Sequence, residues 1–184
     1  MNILRFPAAR VPVAVVVLYG FLIPPAGVKA ATSTVSNSLK ATIDALGELS
    51  VPTSVSLTHA GTVFNSFSGS VTVQYLARTT AAGGGNLTMK VTQDFQTGGP
   101  SVAGGDLTYV CGAAGLGTAC GASTASTSAA TSVVTLPSSA CTGGGTPCSA
   151  TSPNTVSVTF TLADRPTVDT GTYTASVQFT ISAT

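Results

Sequence analysis

His59 is the single histidine of a 184-residue chain, so any general base, triad or imidazole metal site would have to be built on it. A triad needs a nucleophile and a carboxylate that converge on the ring, and no spacing around His59 brings such groups together. The expectation is a surface histidine at a strand end before Gly61. Gly99-Pro100-Ser101-Val102-Ala103 faintly imitates a nucleophile elbow, but it sits among turn residues and lacks the strand and helix that expose the hydroxyl. Gly115-Leu116-Gly117 has Cys120 where a dinucleotide fingerprint needs its third glycine. Asp106, Asp164 and Asp169 carry oxygens suited to calcium, yet their spacing is not that of a calcium loop and they read as turn residues. Asn86-Leu87-Thr88 is a glycosylation sequon. These residues point to a protein that is not an enzyme and uses no cofactor.

Four cysteines remain as reactive groups: Cys111, Cys120, Cys141 and Cys148. Their spacings do not match a zinc knuckle and no histidine lies nearby. An even number of cysteines in an exported chain reads as two disulfides. Pairing Cys111 with Cys120 and Cys141 with Cys148 closes two short Gly-rich loops and is favoured. The nested pairing of Cys111 with Cys148 and Cys120 with Cys141 stays open.

The export reading comes from the N-terminus. Arg5 and Arg10 precede an apolar run over residues 11–23, Pro24 and Pro25 break it, and Val28-Lys29-Ala30 offers a cleavage site. Residues 1–30 are expected to be a secretory signal peptide, and the run is too short to span a membrane, which takes about 20 residues. The mature domain would then be residues 31–184, with four basic and six acidic residues and a net charge of −2. With no basic patch to neutralise phosphates, neither nucleic acid nor an anionic membrane surface is an expected partner. Charged residues make up only 7% of the chain, so its surface resists self-association weakly. The expected location is the periplasm or cell surface.

The elements that must carry these residues are strands. Apolar residues alternate with polar ones at Val35 to Ile43, Leu49 to Leu57, Val71 to Ala77, Leu87 to Val91, Leu107 to Val110, Val133 to Leu136, Val156 to Leu162 and Tyr173 to Ile181. Gly- and Asp-rich turns separate them. The predicted fold is all-β, an immunoglobulin-like antiparallel β-sandwich of seven to nine strands, with a closed barrel as the alternative. Residues 112–152 are rich in Ala, Gly, Ser and Thr and read as one or two long disulfide-pinned loops around a short strand. The last run, with Tyr173, Ala175, Val177, Phe179 and Ile181 on one parity, reads as a terminal core strand.

The two ends of the mature chain resemble those of bacterial chaperone–usher fimbrial subunits, including the branch similar to spore coat protein U. The residues that carry the resemblance are Gly171, fourteen residues from the C-terminus, and the alternating strand through Tyr173, Val177, Phe179 and Ile181. In that family an alternating N-terminal arm completes a neighbour's incomplete sandwich. Val35, Leu39, Ala41 and Ile43 share one parity and would be the donor residues here. The resemblance implies an exported structural or adhesive subunit that associates with copies of itself or other subunits, assisted by a periplasmic chaperone. A monomeric secreted binding module for carbohydrate or protein is the second expectation.

Overall fold

The computed structural model describes residues 38–59, 61, 64–142 and 147–184. Within residues 42–184 it forms two antiparallel sheets facing each other. The strands are β1 (Leu46–Ser50), β2 (Thr58–His59), β3 (Phe67–Arg78), β4 (Gly85–Gln93), β5 (Leu107–Cys111), β6 (Thr118–Ala119), β7 (Ala122–Thr124), β8 (Thr131–Leu136), β9 (Asn154–Leu162) and β10 (Ser176–Ala183). One sheet runs in the order β1-β3-β9-β5-β7, with β2 on the same edge of β3 as β1. The other runs β10-β4-β8-β6. Two separate sheets make the fold the expected sandwich and not a barrel. Among the described residues its ten strands exceed the expected number because β2 and β6 are two-residue pieces.

Period-two alternation is what builds the core. On β3 the side chains of Val71, Val73, Tyr75 and Ala77 are buried while Thr72 and Gln74 face solvent. On β9 Val156, Val158, Phe160 and Leu162 are buried opposite them, and Leu87, Met89 and Val91 of β4 close the layer from the other sheet. Burying each such side chain stabilises the fold by about 1.5–3 kcal/mol before the entropy of ordering is subtracted. Tyr75 enters this apolar layer with its hydroxyl satisfied, donating to the Leu116 carbonyl and accepting from the Leu116 N–H. Burial pushes the Tyr75 phenol above its ordinary range, and the Leu116 hydrogen bond offsets only part of that rise.

Several expectations need correction. The strand expected at Leu49 to Leu57 is β1, shifted to Leu46–Ser50. Pro52 has no N–H to give a ladder, so the pairing stops before it. The chain then crosses the core-facing side of β3, where a Cβ on Gly69 would lie 2.5 Å from the Ser56 carbonyl oxygen. The expected strand over Val35 to Ile43 is not formed where it can be seen, since residues 38–43 carry no strand. Val35 and the expected signal peptide lie outside the described residues. The stretch Ile43 to Leu49, whose sequence hints at a helix interrupted by Gly47, is drawn instead into the antiparallel pairing of β1 with β3. Residues 112–136 hold β6, β7 and β8, more order than loops around one strand.

The terminal strand also begins later than expected. Tyr173 and Gly171 precede β10, because the Tyr173 hydroxyl donates to the carbonyl oxygens of Asp169 and Gly98 and holds the residue in the preceding loop. Among the described residues no helix is long and apolar enough to cross a membrane.

Candidate functional site

Both cysteine pairs are closed in the sequential pattern, Cys111 to Cys120 and Cys141 to Cys148. Cys111 ends β5 in one sheet and Cys120 follows β6 in the other, so this bridge staples the two sheets at one edge of the sandwich. The second bridge pins the loop before β9. Thr79 fastens that loop from β3: its hydroxyl donates to Pro137 O at 2.7 Å and accepts from Ala140 N–H at 2.8 Å. Asn154 holds the other end, donating to Pro147 O at 2.8 Å. Closed bridges fit the oxidising conditions outside the cytoplasm.

The opposite edge, where β1 lies over β10, is open. β10 pairs with β4 on one side only, and among the described residues no strand occupies its other side. Its inward side chains Val177, Phe179, Ile181 and Ala183 alternate as a core strand should, yet each is only half-buried. On the facing edge β1 contributes Leu49, followed by Val51 and Leu57, all packed against the core and partly exposed. Gly47 lets the two edges touch, because a Cβ there would stand 3.2 Å from Ile181 Cγ2. The result is an apolar seam bounded by two strand edges, with backbone donors and acceptors along β10 that have no ladder partner among the described residues.

Of the expected site residues, Val177, Phe179 and Ile181 line this seam. Gly171 and Tyr173 anchor the loop leading into β10 and do not line it. Leu39 is 101% and Ile43 71% exposed, and Ala41 is exposed as well.

The candidate chemical groups are dispersed. His59 Nε2 lies 3.9 Å from Asp164 Oδ2, and its ring tilts against Phe67 with 5.1 Å between centroids. Asp106 is buried and accepts from the Ser101 N–H and from Arg165. Burial alone would raise its carboxyl, but the Ser101 N–H and the adjacent Arg165 guanidinium outweigh that and hold it below the usual carboxylate range. Asp94 accepts from the N–H groups of Phe95 and Val102 at 2.8 and 3.0 Å. These carboxylates therefore fasten the loop over residues 94–106, and among the described residues no three ligating groups gather around a point. Two shallow clefts of about 230 and 300 Å³ flank the outer faces of β1 and β3 beneath residues 147–153. Glu48 lines both, and neither brings a second carboxylate or a histidine to it.

The sequence reading missed the seam because alternation reports which side chains face inward, not whether a neighbour covers them. No protein-family model, curated protein or solved structure matches the chain.

Proposed function

We propose that this protein is an exported structural subunit that assembles by β-strand addition, each copy receiving an extended strand in the seam beside β10. The observation that carries the reading is the half-burial of Val177, Phe179 and Ile181 on a strand whose outer edge is unpaired among the described residues. In an immunoglobulin-type domain with sheets ABED and CFG, the order β1-β3-β9-β5 takes the place of ABED and β4 with β10 that of C with F. Among the described residues no strand takes the place of the one that would follow F. An added strand gains main-chain hydrogen bonds for affinity, and alternate side chains seated in the seam set its register.

The N-terminal arm, residues 31–43, suits this role. It presents Val35, Leu39, Ala41 and Ile43 on one parity, and the described members of that set are exposed. A chaperone lending a strand to the seam during export fits the same physical logic, since an unfilled seam leaves core side chains in water.

The mature protein should form oligomers in light scattering that persist in mild denaturant. Deleting residues 31–43 should yield monomers prone to aggregate, and adding a synthetic peptide of residues 31–43 should restore a cooperative, more stable species. Leu39→Asp should mimic the deletion, because the charge would enter the seam unpaired. A full-length protein that remains a stable monomer at every concentration, indifferent to the peptide, sinks the proposal and leaves a monomeric binding module as the better reading.

A further inference from the structure

An arm tethered beside an open seam should fill that seam before it finds a neighbour's. A short tether gives an effective concentration far above that of a second copy in dilute solution, and the advantage vanishes only where geometry forbids the tethered contact. The root of the arm lies close to its own seam. β1 begins at Leu46 opposite Arg78, at the end of β3. Two residues on, the Thr80 N–H donates to the Thr184 carbonyl just past β10 at 2.9 Å. β1 therefore starts where β10 ends and the two run in opposite directions, with Gly47 set against Ile181. A chain that turned back between Asp44 and Leu46 would enter the seam beside Ala183 and run parallel to β10, an allowed if slightly less stable pairing.

Arg78 opposes that turn. Val71, Val73, Tyr75 and Ala77 of β3 face the core, so Arg78 stands on the outward face of its sheet, away from β10. There it lines the larger of the two clefts. Its Nε and Nη2 both donate to the Asp44 carbonyl, at 3.1 and 2.8 Å. Two charge-assisted bonds to one backbone oxygen draw the root of the arm toward the outward face. The residue just before it, Ile43, is 71% exposed, as expected of a chain led away from an apolar seam. We propose, resting on the assembly reading above, that Arg78 is a positioning residue: it holds each arm off its own seam and leaves the arm to a neighbouring copy. The acceptor is main chain, so the clasp does not depend on which side chain occupies position 44. A guanidinium suits the task because its planar fork presents paired donors and keeps its charge.

The test compares mature wild type with Arg78→Ala by light scattering over a dilution series, with hydrogen exchange read on the monomer fraction. Arg78→Ala should raise the concentration at which half the copies are assembled at least about tenfold. Its monomer should protect residues 31–43 from exchange and no longer take up a synthetic peptide of residues 31–43. Arg78→Lys, which keeps one charged donor group, should fall between. Inserting four glycines between Ile43 and Asp44 leaves the clasp and every described strand intact but gives the arm slack to turn back. It should also shift the protein toward arm-protected monomers, and it carries the test if Arg78→Ala does not fold. Wild type and folded variants that assemble at the same concentration overturn the clasp and leave strand addition standing. Variant monomers whose arms exchange freely and still take up the peptide overturn it too, because Arg78 would then act on assembly by some other route. A wild type that is monomeric at every concentration and indifferent to the peptide removes the assembly reading itself, and the role of Arg78 with it.

Discussion

Leu87, Met89 and Val91 of β4 stand directly opposite Ile181, Phe179 and Val177 of β10 in a single register. The first three are 0%, 0% and 1% exposed, whereas their partners on the adjacent strand are only half-buried. Both strands have the same alternation and the same type of apolar residue, so the difference does not come from their own sequences. It comes from the second neighbour: β4 lies between β10 and β8, and among the described residues β10 has β4 alone. The contrast repeats across the whole sandwich. Near the edge formed by β7 and β6, the Cys111–Cys120 bridge staples β5 to the end of β6. The β1 and β10 edge has contact through Gly47 and Ile181 and an apolar seam below it.

The largest effects should separate the two strands of that pair. Met89→Ala removes a fully buried side chain and should cost about 2–5 kcal/mol in the denaturant midpoint of the isolated protein. Phe179→Ala should cost less than the same change at a fully buried phenylalanine, about 3–5 kcal/mol, because part of the ring is already in water. With a strand seated in the seam, the Phe179→Ala penalty should rise toward the full range. Equal penalties at Met89 and Phe179 in a species shown to be monomeric would mean that β10 is already covered, and the proposed assembly would lose its basis.

The stapled edge should respond more mildly. Replacing Cys111 and Cys120 together by Ser opens a bridge between residues nine apart in sequence, and a loop that short removes limited entropy from the unfolded chain. A loss of about 2–3 kcal/mol is expected in equilibrium unfolding, with the sandwich still folded. Failure to fold would show that the bridge carries the edge, and that the hydrophobic layer beneath it is insufficient.

How much of this was legible beforehand varies by element. β3, β4 and β9 could be read from alternation because both their edges are paired over most of their length, so local pattern and tertiary context agree. β1 was misplaced because Pro52 sits inside an otherwise plausible apolar run, and the ladder ends where the N–H is lost. The start of β10 was misplaced because the Tyr173 hydroxyl finds backbone acceptors in the loop, a contact across 75 residues to Gly98 that no local pattern encodes. The disulfide pairing followed from short loop closure. The seam depends on strand order and register, and neither is written in the periodicity of a single strand.

The smallest effect concerns the footing of the open strand. Arg165 belongs to the connection between β9 and β10 and donates to Asp106, while the Asp106 carbonyl accepts from Ala163 N–H at 2.9 Å. The Asp106 carboxyl is held below the ordinary aspartate value of about 3.9 that it would have in the unfolded chain. A folded value below the unfolded one means that the unfolded chain takes up protons more readily as acid is added. The stabilisation is therefore complete above about pH 4 and is lost as the pH falls through the folded value. Denaturant midpoints of the wild type should decline through this acid window, while Asp106→Asn should start lower and decline less. Hydrogen exchange over the same range should open residues 163–175, next to the half-buried strand, before it opens β5 at the stapled edge. If β5 exchanges first, or if Asp106→Asn keeps the full acid slope, then Asp106 does not hold the footing of β10 and the open edge draws its order from the β4 ladder alone.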